Sequence, residues 1–377
     1  MKVDYFLDTL RINLGVAFYT GVPDSQLKAL CDFLYGEYGL GDRHIVAANE
    51  GAAVGLAAGH YIATGRPALV YLQNSGLGNI INPTASLLDE KVYGIPCVFV
   101  IGWRGEPGVK DEPQHIFQGE ITTDLLKLMK IEYIIISKKT EENEFLGFIQ
   151  HSRNVIASGR SIAFVIRKGV FENAVNPRYS NNNRLKREDA LRTIIMSAGD
   201  DDVFVSTTGK TSRELFEIRE AIHQGHEKDF LTVGSMGHAS MISLGIAKNV
   251  PDRTVWCLDG DGAAVMHMGS MAVLARTRCG NLIHIVFNNG AHESVGGMPV
   301  AYGETDFCEL AKACGYDLCL KARDQDELEK AIDIAQKAKG TRFIEVLVSL
   351  GSRDDLGRPT TTPKENKAAL MNYLKEA

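Results

Sequence analysis

The stretch "LDGDGAAVMH", residues 258–267, closes the apolar run "RTVWC" and opens a run of small and apolar residues. Its two glycines let backbone approach an anion closely, and the helix that follows adds its positive end. Two aspartates beside a bare anion would repel it. The combination makes sense when a divalent cation bridges carboxylate and phosphate. The next apolar run, "NLIHIVFNN", ends at Asn289, which follows Asp261 by 28 residues. That distance fits one right-handed strand–helix–strand crossover, which sets the carboxyl ends of neighbouring parallel strands side by side, where such folds bind ligands. Asp261, the Asn289 amide oxygen and a backbone carbonyl near Ala291 could supply the protein side of a magnesium site.

The same grammar runs through the whole chain. Strand-like apolar runs alternate with helical stretches, the pattern of parallel α/β sheets. "NEGAAVGLAAGHYIATG" reads as a helix, "RPALVYLQNSG" as a strand ending in a polar turn, and "IPCVFVIGW" as the next strand. Gly76 to Pro96 and Gly262 to Leu282 each span twenty residues, the spacing a duplicated unit would leave. Residues 172–187 have asparagine, charge and no apolar period, a linker composition. The expected division is 1–171 for a first domain, 172–187 for the linker, 188–352 for a second domain, and 353–377 for a tail with an extended Pro/Thr segment and a short helix.

Composition narrows the class. The chain has 377 residues, 45% hydrophobic and 23% charged, with net charge −6. This is ordinary globular composition and argues against a general nucleic-acid binder, so an anionic ligand needs locally gathered cations. No apolar run approaches membrane-spanning length, and "MKVDYFLDTL" lacks a signal-peptide core. Seven scattered cysteines without a paired framework suit a reduced, cytoplasmic protein. Cys308, Cys314 and Cys319 contain no CxxC pair, and they read as core or surface residues rather than a zinc site.

The Asp261–Asn289 segment resembles the thiamine-diphosphate motif, GDG followed by about thirty residues ending in NN. The resemblance implies two related parallel-sheet domains, pyrimidine-binding then diphosphate-binding, and the chain is too short for the middle domain many such enzymes carry. It implies Mg2+ ligation by Asp261, Asn289 and Ala291, with Gly260, Gly262 and Ala263 around the cofactor. "GSMG" at 234–237 resembles the segment that props the cofactor, implicating Gly234, Ser235 and Met236. "STTGKTS" resembles the diphosphate-side loop, implicating Thr208, Gly209 and Lys210. "HIVAANEGAAVGLAAGHY" resembles the pyrimidine-binding domain, whose glutamate shares a proton with a ring nitrogen, and Glu50 matches. Its alanine-rich surroundings favour the uncharged acid, while a helix N-terminus favours the carboxylate.

A closer resemblance covers nearly the whole chain. "TGVPDS", "GWRGEPGVKDEPQHIFQG", "NNGAHESVGG" and "DLGRPTTTPKENK" are similar to segments of the phosphonopyruvate decarboxylases. Members convert 3-phosphonopyruvate to phosphonoacetaldehyde and carbon dioxide in phosphonate biosynthesis; the alternative is a sulfopyruvate decarboxylase, a near relative, or another 2-oxo acid decarboxylase of the same class. By this resemblance Glu50, Asp24 and His115 are catalytic, and Arg104, Lys110, His115 and His292 face the substrate. It also implies at least a homodimer, with each site drawing Glu50 from one subunit and Asp261 from another. A nucleotide-binding module is the distant alternative, weakened by the absence of a P-loop pattern.

Overall fold

The computed structural model describes residues 1–172 and 177–375; residues 173–176 of the expected linker and the last two of the tail lie outside the described residues. The chain forms two compact units, residues 1–179 with 292–301, and residues 180–291 with 302–377.

Unit 1 carries strands β1 (Tyr19–Gly21), β2 (His44–Val46), β3 (Ala68–Gln73), β4 (Cys97–Gly102), β5 (Glu132–Ile136) and β6 (Ile162–Ile166). Helices α1 (Val3–Leu14), α2 (Lys28–Tyr38), α3 (Glu50–Thr64), α4 (Leu77–Pro83), α5 (Pro113–Leu128) and α6 (Glu142–Ala157) connect and cover them. The sheet is parallel throughout, in the order β2-β1-β3-β4-β6-β5. Alternate residues of each inner strand feed opposite faces. Leu69, Tyr71, Val98 and Val100 enter one core cluster, and Val70, Leu72, Phe99 and Ile101 enter the other. Burial on both faces explains why these strands read as unbroken apolar runs rather than alternating ones.

Unit 2 repeats the plan with β7 (Val203–Ser206), β8 (Asp229–Leu231), β9 (Val255–Gly260), β10 (Leu282–Asn288), β11 (Leu318–Ala322) and β12 (Arg342–Leu347). Its helices are α7 (Arg187–Ser197), α8 (Lys210–Ala221), α9 (Ala239–Ala247), α10 (Asp261–Met266), α11 (Gly269–Thr277), α12 (Phe307–Cys314), α13 (Gln325–Lys337) and α14 (Pro363–Lys375). The parallel order is β8-β7-β9-β10-β12-β11. Counted within its own unit, each sheet therefore runs second, first, third, fourth, sixth, fifth. Trp256, Leu258, Ile283 and Ile285 fill one side of the second sheet, and Val255, Cys257, Leu282 and Val286 fill the other.

The segment 292–301 packs with unit 1, where Val295 and Met298 are buried in its core. The tail helix is anchored within unit 2. Asn366 of α14 is buried, donating to Asp229 O at 2.8 Å and accepting from Leu231 N at 3.0 Å. The three clustered cysteines do not converge. Cys308 lies with Asp306 and Glu345, whose carboxylates share the Lys321 ammonium at 2.7 and 2.9 Å, so a cation already occupies that position. Among the described residues, no helix is long and apolar enough to cross a membrane.

Candidate active site

In unit 2 the strand–helix junction of the quoted stretch is abrupt: β9 ends at Gly260 and α10 begins at Asp261. Gly260 has ordinary extended angles, φ −115°, so the turn does not use its freedom. Gly262 matters through space instead. A Cβ there would lie 3.2 Å from Tyr302 Oη and 3.3 Å from Met236 Cε. Asp261 is buried and accepts from Gly262 N at 2.8 Å and from Gly290 N at 3.0 Å. Its second bond reaches the turn after β10, where Asn289 Oδ1 accepts from Ala291 N at 3.0 Å. Asn181 holds that turn from behind, donating to Asn289 O at 2.9 Å and Val348 O at 3.0 Å. The sequence offered no signal for Asn181 beyond its place in an asparagine-rich linker.

Two more loops converge on the junction. Gly209 has φ 104°, a value that favours glycine, and sits just before α8, with Lys210 as the first helical residue. Thr208 Oγ1 accepts from Gly234 N at 3.0 Å, tying the 208–210 loop to the 234–237 loop. In the latter, Gly234, Ser235 and Gly237 all have positive φ, and this contorted path leaves Met236 37% exposed. A methionine half out of the core, its tip against Gly262, is not acting as a core filler. His238 and His267 adjoin this loop with ring centroids 4.5 Å apart, a pair the sequence did not flag. Ala263 is buried in α10 and Ala291 in the turn after β10.

The donor set suits a magnesium-bridged diphosphate. Asp261, the Asn289 amide and the Ala291 carbonyl are hard oxygen donors, and Gly209 supplies open backbone at a helix start. Two buried hydroxyls beside the junction, Thr207 Oγ1 and Tyr302 Oη, have no hydrogen-bond partner among the described residues. Such orphaned groups point to a polar ligand. Burial, with Asp261 nearby, pushes the Tyr302 hydroxyl well above its ordinary range, keeping it a donor.

In unit 1 Glu50 opens α3, whose start is capped by Asn49 Oδ1 accepting from Ala52 N at 2.9 Å. Glu50 is only 5% exposed, and Asn79 Nδ2 donates to its Oε2 at 2.6 Å. Gly76 makes room for it: a Cβ there would come within 2.6 Å of Glu50 Cγ. Asp24 follows β1 and is also buried. Gln73 Nε2 donates to its Oδ1 at 2.5 Å, while Oδ2 is buried without a partner, and a Cβ at Gly102 would collide with it. Burial raises the Asp24 carboxyl above the usual range, against the lowering effects of Gln73 and Arg104.

Arg104 and His115 sit at either end of the glycine-rich loop after β4. Asn74 pins its start, accepting from Arg104 N at 3.0 Å and donating to Arg104 O at 2.8 Å. Arg104 Nε donates to Asp111 Oδ2 at 2.8 Å and its Nη2 to Oδ1, which leaves Nη1 reaching Ser25 Oγ at 3.3 Å. Lys110 is exposed on the same loop. His115, in the first turn of α5, has a buried Nδ1 without a partner. Burial and then Arg104 push its imidazole below the ordinary value, favouring the neutral ring. His292 belongs to the 292–301 segment, and burial pushes it down to about 4.

Residues 2–146 match the thiamine pyrophosphate enzyme N-terminal TPP binding domain, and residues 208–346 match the corresponding C-terminal TPP binding domain. A phosphonopyruvate decarboxylase of Streptomyces viridochromogenes is 35% identical over 94% of this chain and 90% of its own length. The chain belongs to the phosphonopyruvate decarboxylase family of thiamine-diphosphate enzymes. Another family member, from Streptomyces hygroscopicus, is 34% identical over 97% of this chain and 92% of its own. A sulfopyruvate decarboxylase of Methanosarcina acetivorans is 28% identical over 94% and 93%. Thiamine diphosphate is thus the cofactor, and the protein is a decarboxylase of the 2-oxo acid class.

Proposed function

We propose that the protein decarboxylates 3-phosphonopyruvate to phosphonoacetaldehyde and carbon dioxide, in the cytoplasm, as a step toward phosphonates. The observation that carries this reading is the presence in one chain of both half-sites, the buried Glu50 of unit 1 and the Asp261–Asn289 junction of unit 2. The full-length similarity to two phosphonopyruvate decarboxylases supports the substrate.

In this reading Asp261, Asn289 and the Ala291 carbonyl would hold Mg2+, and Thr208, Gly209 and Lys210 would hold the diphosphate. Gly234, Ser235 and Met236 would contact the cofactor from their loop, and Gly260, Gly262 and Ala263 would border it at the strand–helix junction. Glu50 shares its proton with the pyrimidine ring. When bound, thiamine diphosphate supplies the electron sink for the bond that breaks as carbon dioxide leaves. The chain's remaining task is to return a proton to the product carbon. Asp24, with a raised carboxyl and an unpartnered Oδ2, is the acid suited to give it. The neutral His115 relays to it, while Lys110 and His292 face the substrate and Arg104, held in a two-point pair by Asp111, borders them. Each site is shared between two subunits of a homodimer.

The sulfopyruvate reading is kept by the similarity to the Methanosarcina enzyme along 93% of its length. Aldehyde release from 3-phosphonopyruvate, sulfopyruvate and pyruvate, measured with Mg2+ and thiamine diphosphate, decides between them. We expect 3-phosphonopyruvate to be turned over far faster than either. A preference for sulfopyruvate would overturn the proposal while leaving the family intact.

A further inference from the structure

Two turns of unit 1 carry paired bases that no role above has used: Lys138–Lys139 after β5, and Arg167–Lys168 after β6. Strands β4, β6 and β5 are neighbours in the sheet, so their carboxyl ends adjoin. Trp103 N donates to Ile166 O at 2.9 Å, and Arg167 N to Ile136 O at 3.0 Å, extending the ladder into the turns. The turns touch. A Cβ at Gly169 would lie 3.5 Å from Lys138 Cε and 3.6 Å from its Nζ. With Arg104 and Lys110 of the loop after β4, these four bases line a cleft of about 570 Å³.

Only two acids, Glu106 and Asp111, oppose the six bases of this cleft, on a chain whose net charge is −6. Asp111 is built in. It accepts from Gly105 N and Glu112 N, both at 2.8 Å, as well as from Arg104, and the Arg104 hydrogen bonds hold its carboxyl far below the usual range. Arg104 is therefore largely committed to Asp111. Glu106 pairs with Arg167 at 2.6 Å, with the Glu106 side chain 15% and the Arg167 side chain 44% exposed, so it is the arginine end of the pair that is open to a second anion. The cations with capacity to spare are the lysines and Arg167.

We propose that this cleft binds a tetrahedral dianion, a phosphonate or phosphate group, through Lys138, Lys139, Arg167 and Lys168, with Lys110 closing from the loop. Lysine ammonium groups bind a phosphate-like group as point charges, and a guanidinium fork can take two of its oxygens at once. The position, at the carboxyl ends of adjacent parallel strands, is where such sheets bind ligands. The proposal rests on the 3-phosphonopyruvate reading only for its natural ligand, the substrate's phosphonate arm.

Calorimetric titration of the cofactor-loaded enzyme with methylphosphonate and with inorganic phosphate tests the site without turnover. We expect saturable binding, weakened roughly tenfold or more in Lys138→Ala/Lys139→Ala and in Arg167→Ala/Lys168→Ala, a loss typical of charge-assisted contacts. Glu106→Gln should tighten it, and Lys330→Ala, an exposed position on α13, should not change it. Wild-type affinity in both double variants, at unchanged melting temperature, overturns the site whatever the enzyme decarboxylates. Steady-state rates identify the source. A rise in KM for 3-phosphonopyruvate with kcat held, and competitive inhibition by methylphosphonate, assign the cleft to the substrate's own phosphonate. Unchanged KM with non-competitive inhibition assigns it to free phosphate as an effector. If the wild type leaves 3-phosphonopyruvate untouched while the variants still lose methylphosphonate, the functional reading falls and the site stands.

Discussion

The two units share one strand order and put different chemistry at matching points. After the third strand, unit 2 presents Asp261, whose carboxylate accepts from two backbone amides, Gly262 N and Gly290 N. Unit 1 presents Asn74 at that point, and Asn74 is consumed in stitching Arg104 and Thr122 to the sheet end. The acid of unit 1 comes instead after the second strand, as Glu50. One topology thus makes a structural clamp in one copy and a candidate metal ligand in the other. The fold supplies the positions, and the side chains decide what they do.

The sharpest way to break this division of labour is to remove one acid at a time. Glu50→Ala and Asp261→Ala should each lose activity by roughly 10²-fold or more, the range for a group acting directly in proton transfer or charge stabilisation. Their binding phenotypes should differ. Mg2+ with thiamine diphosphate should raise the melting temperature of Glu50→Ala and fail to raise that of Asp261→Ala, because only bound ligand stabilises the native state. Equal stabilisation of both variants would remove Asp261 from the metal site. Mixed dimers of the two, purified with different tags, should carry wild-type composition at about half of their sites if each site joins two chains. No recovery would place both halves of a site in one chain.

Buried charge gives the next contrast. Unit 2 holds Arg187 against Glu214 at 2.7 and 2.9 Å, and Arg219 against Asp229 at 2.9 and 3.1 Å, all four side chains at most 6% exposed. In unit 1 the Arg104–Asp111 pair is more open, at 21% and 12%. Removing one partner of a buried pair strands the other charge, so Arg219→Met should cost unit 2 about 3–5 kcal/mol. The tryptophans make this readable unit by unit, since Trp103 lies in unit 1 and Trp256 in unit 2. In a Trp103→Phe background, denaturant unfolding followed by Trp256 should shift to lower concentration. An unchanged midpoint would show that the pair contributes nothing net.

Matching glycines separate the units on a smaller scale. Gly76 and Gly262 both follow a third strand, and neither has a positive φ, so alanine is strained only by space. At Gly262 the obstacles are the ends of Tyr302 and Met236 beyond 3 Å, which can give way. At Gly76 the obstacle is Glu50, itself held by Asn79. Gly76→Ala should therefore displace the acid and cost on the order of tenfold to a hundredfold in kcat, in keeping with a misplaced catalytic group. Gly262→Ala should cost only a few-fold. The reverse ranking would mean that Glu50 tolerates the shift.

How much of this was legible in the sequence depends on the range of the interaction. The crossover spacing from Asp261 to Asn289 is local, and the strands arrived where the apolar runs put them. The placement of Glu50 at a helix start was equally readable. What sequence hid are partners distant along the chain. Asn181 supports Asn289 from 108 residues away, Gly76 leaves space for Glu50, and Asp111 occupies the guanidinium that looked available for the substrate. The basic cleft was invisible for the same reason. Its two basic turns lie about thirty residues apart and become neighbours only because β5 and β6 pair.

The mildest test concerns protons. Burial lowers His115 and takes His292 down to about 4, and it lowers His44 and His60 as well, all four in unit 1. For a histidine depressed in the folded state, the unfolded chain binds the proton first. Between pH 6.5 and about 4 the unfolded form of His292 holds more protons than the native form. Stability contributed by the neutral ring is therefore present at neutral pH and drains away as pH falls through that window. At pH 5.5 the loss relative to pH 7 should be about 1 kcal/mol for His292 alone. With Trp256→Phe, leaving Trp103 to report on unit 1, urea midpoints should fall on acidification, and His292→Gln should flatten part of that fall. A His292→Gln protein with the wild-type pH dependence would mean that the ring takes up its proton in the folded state as readily as in the unfolded one.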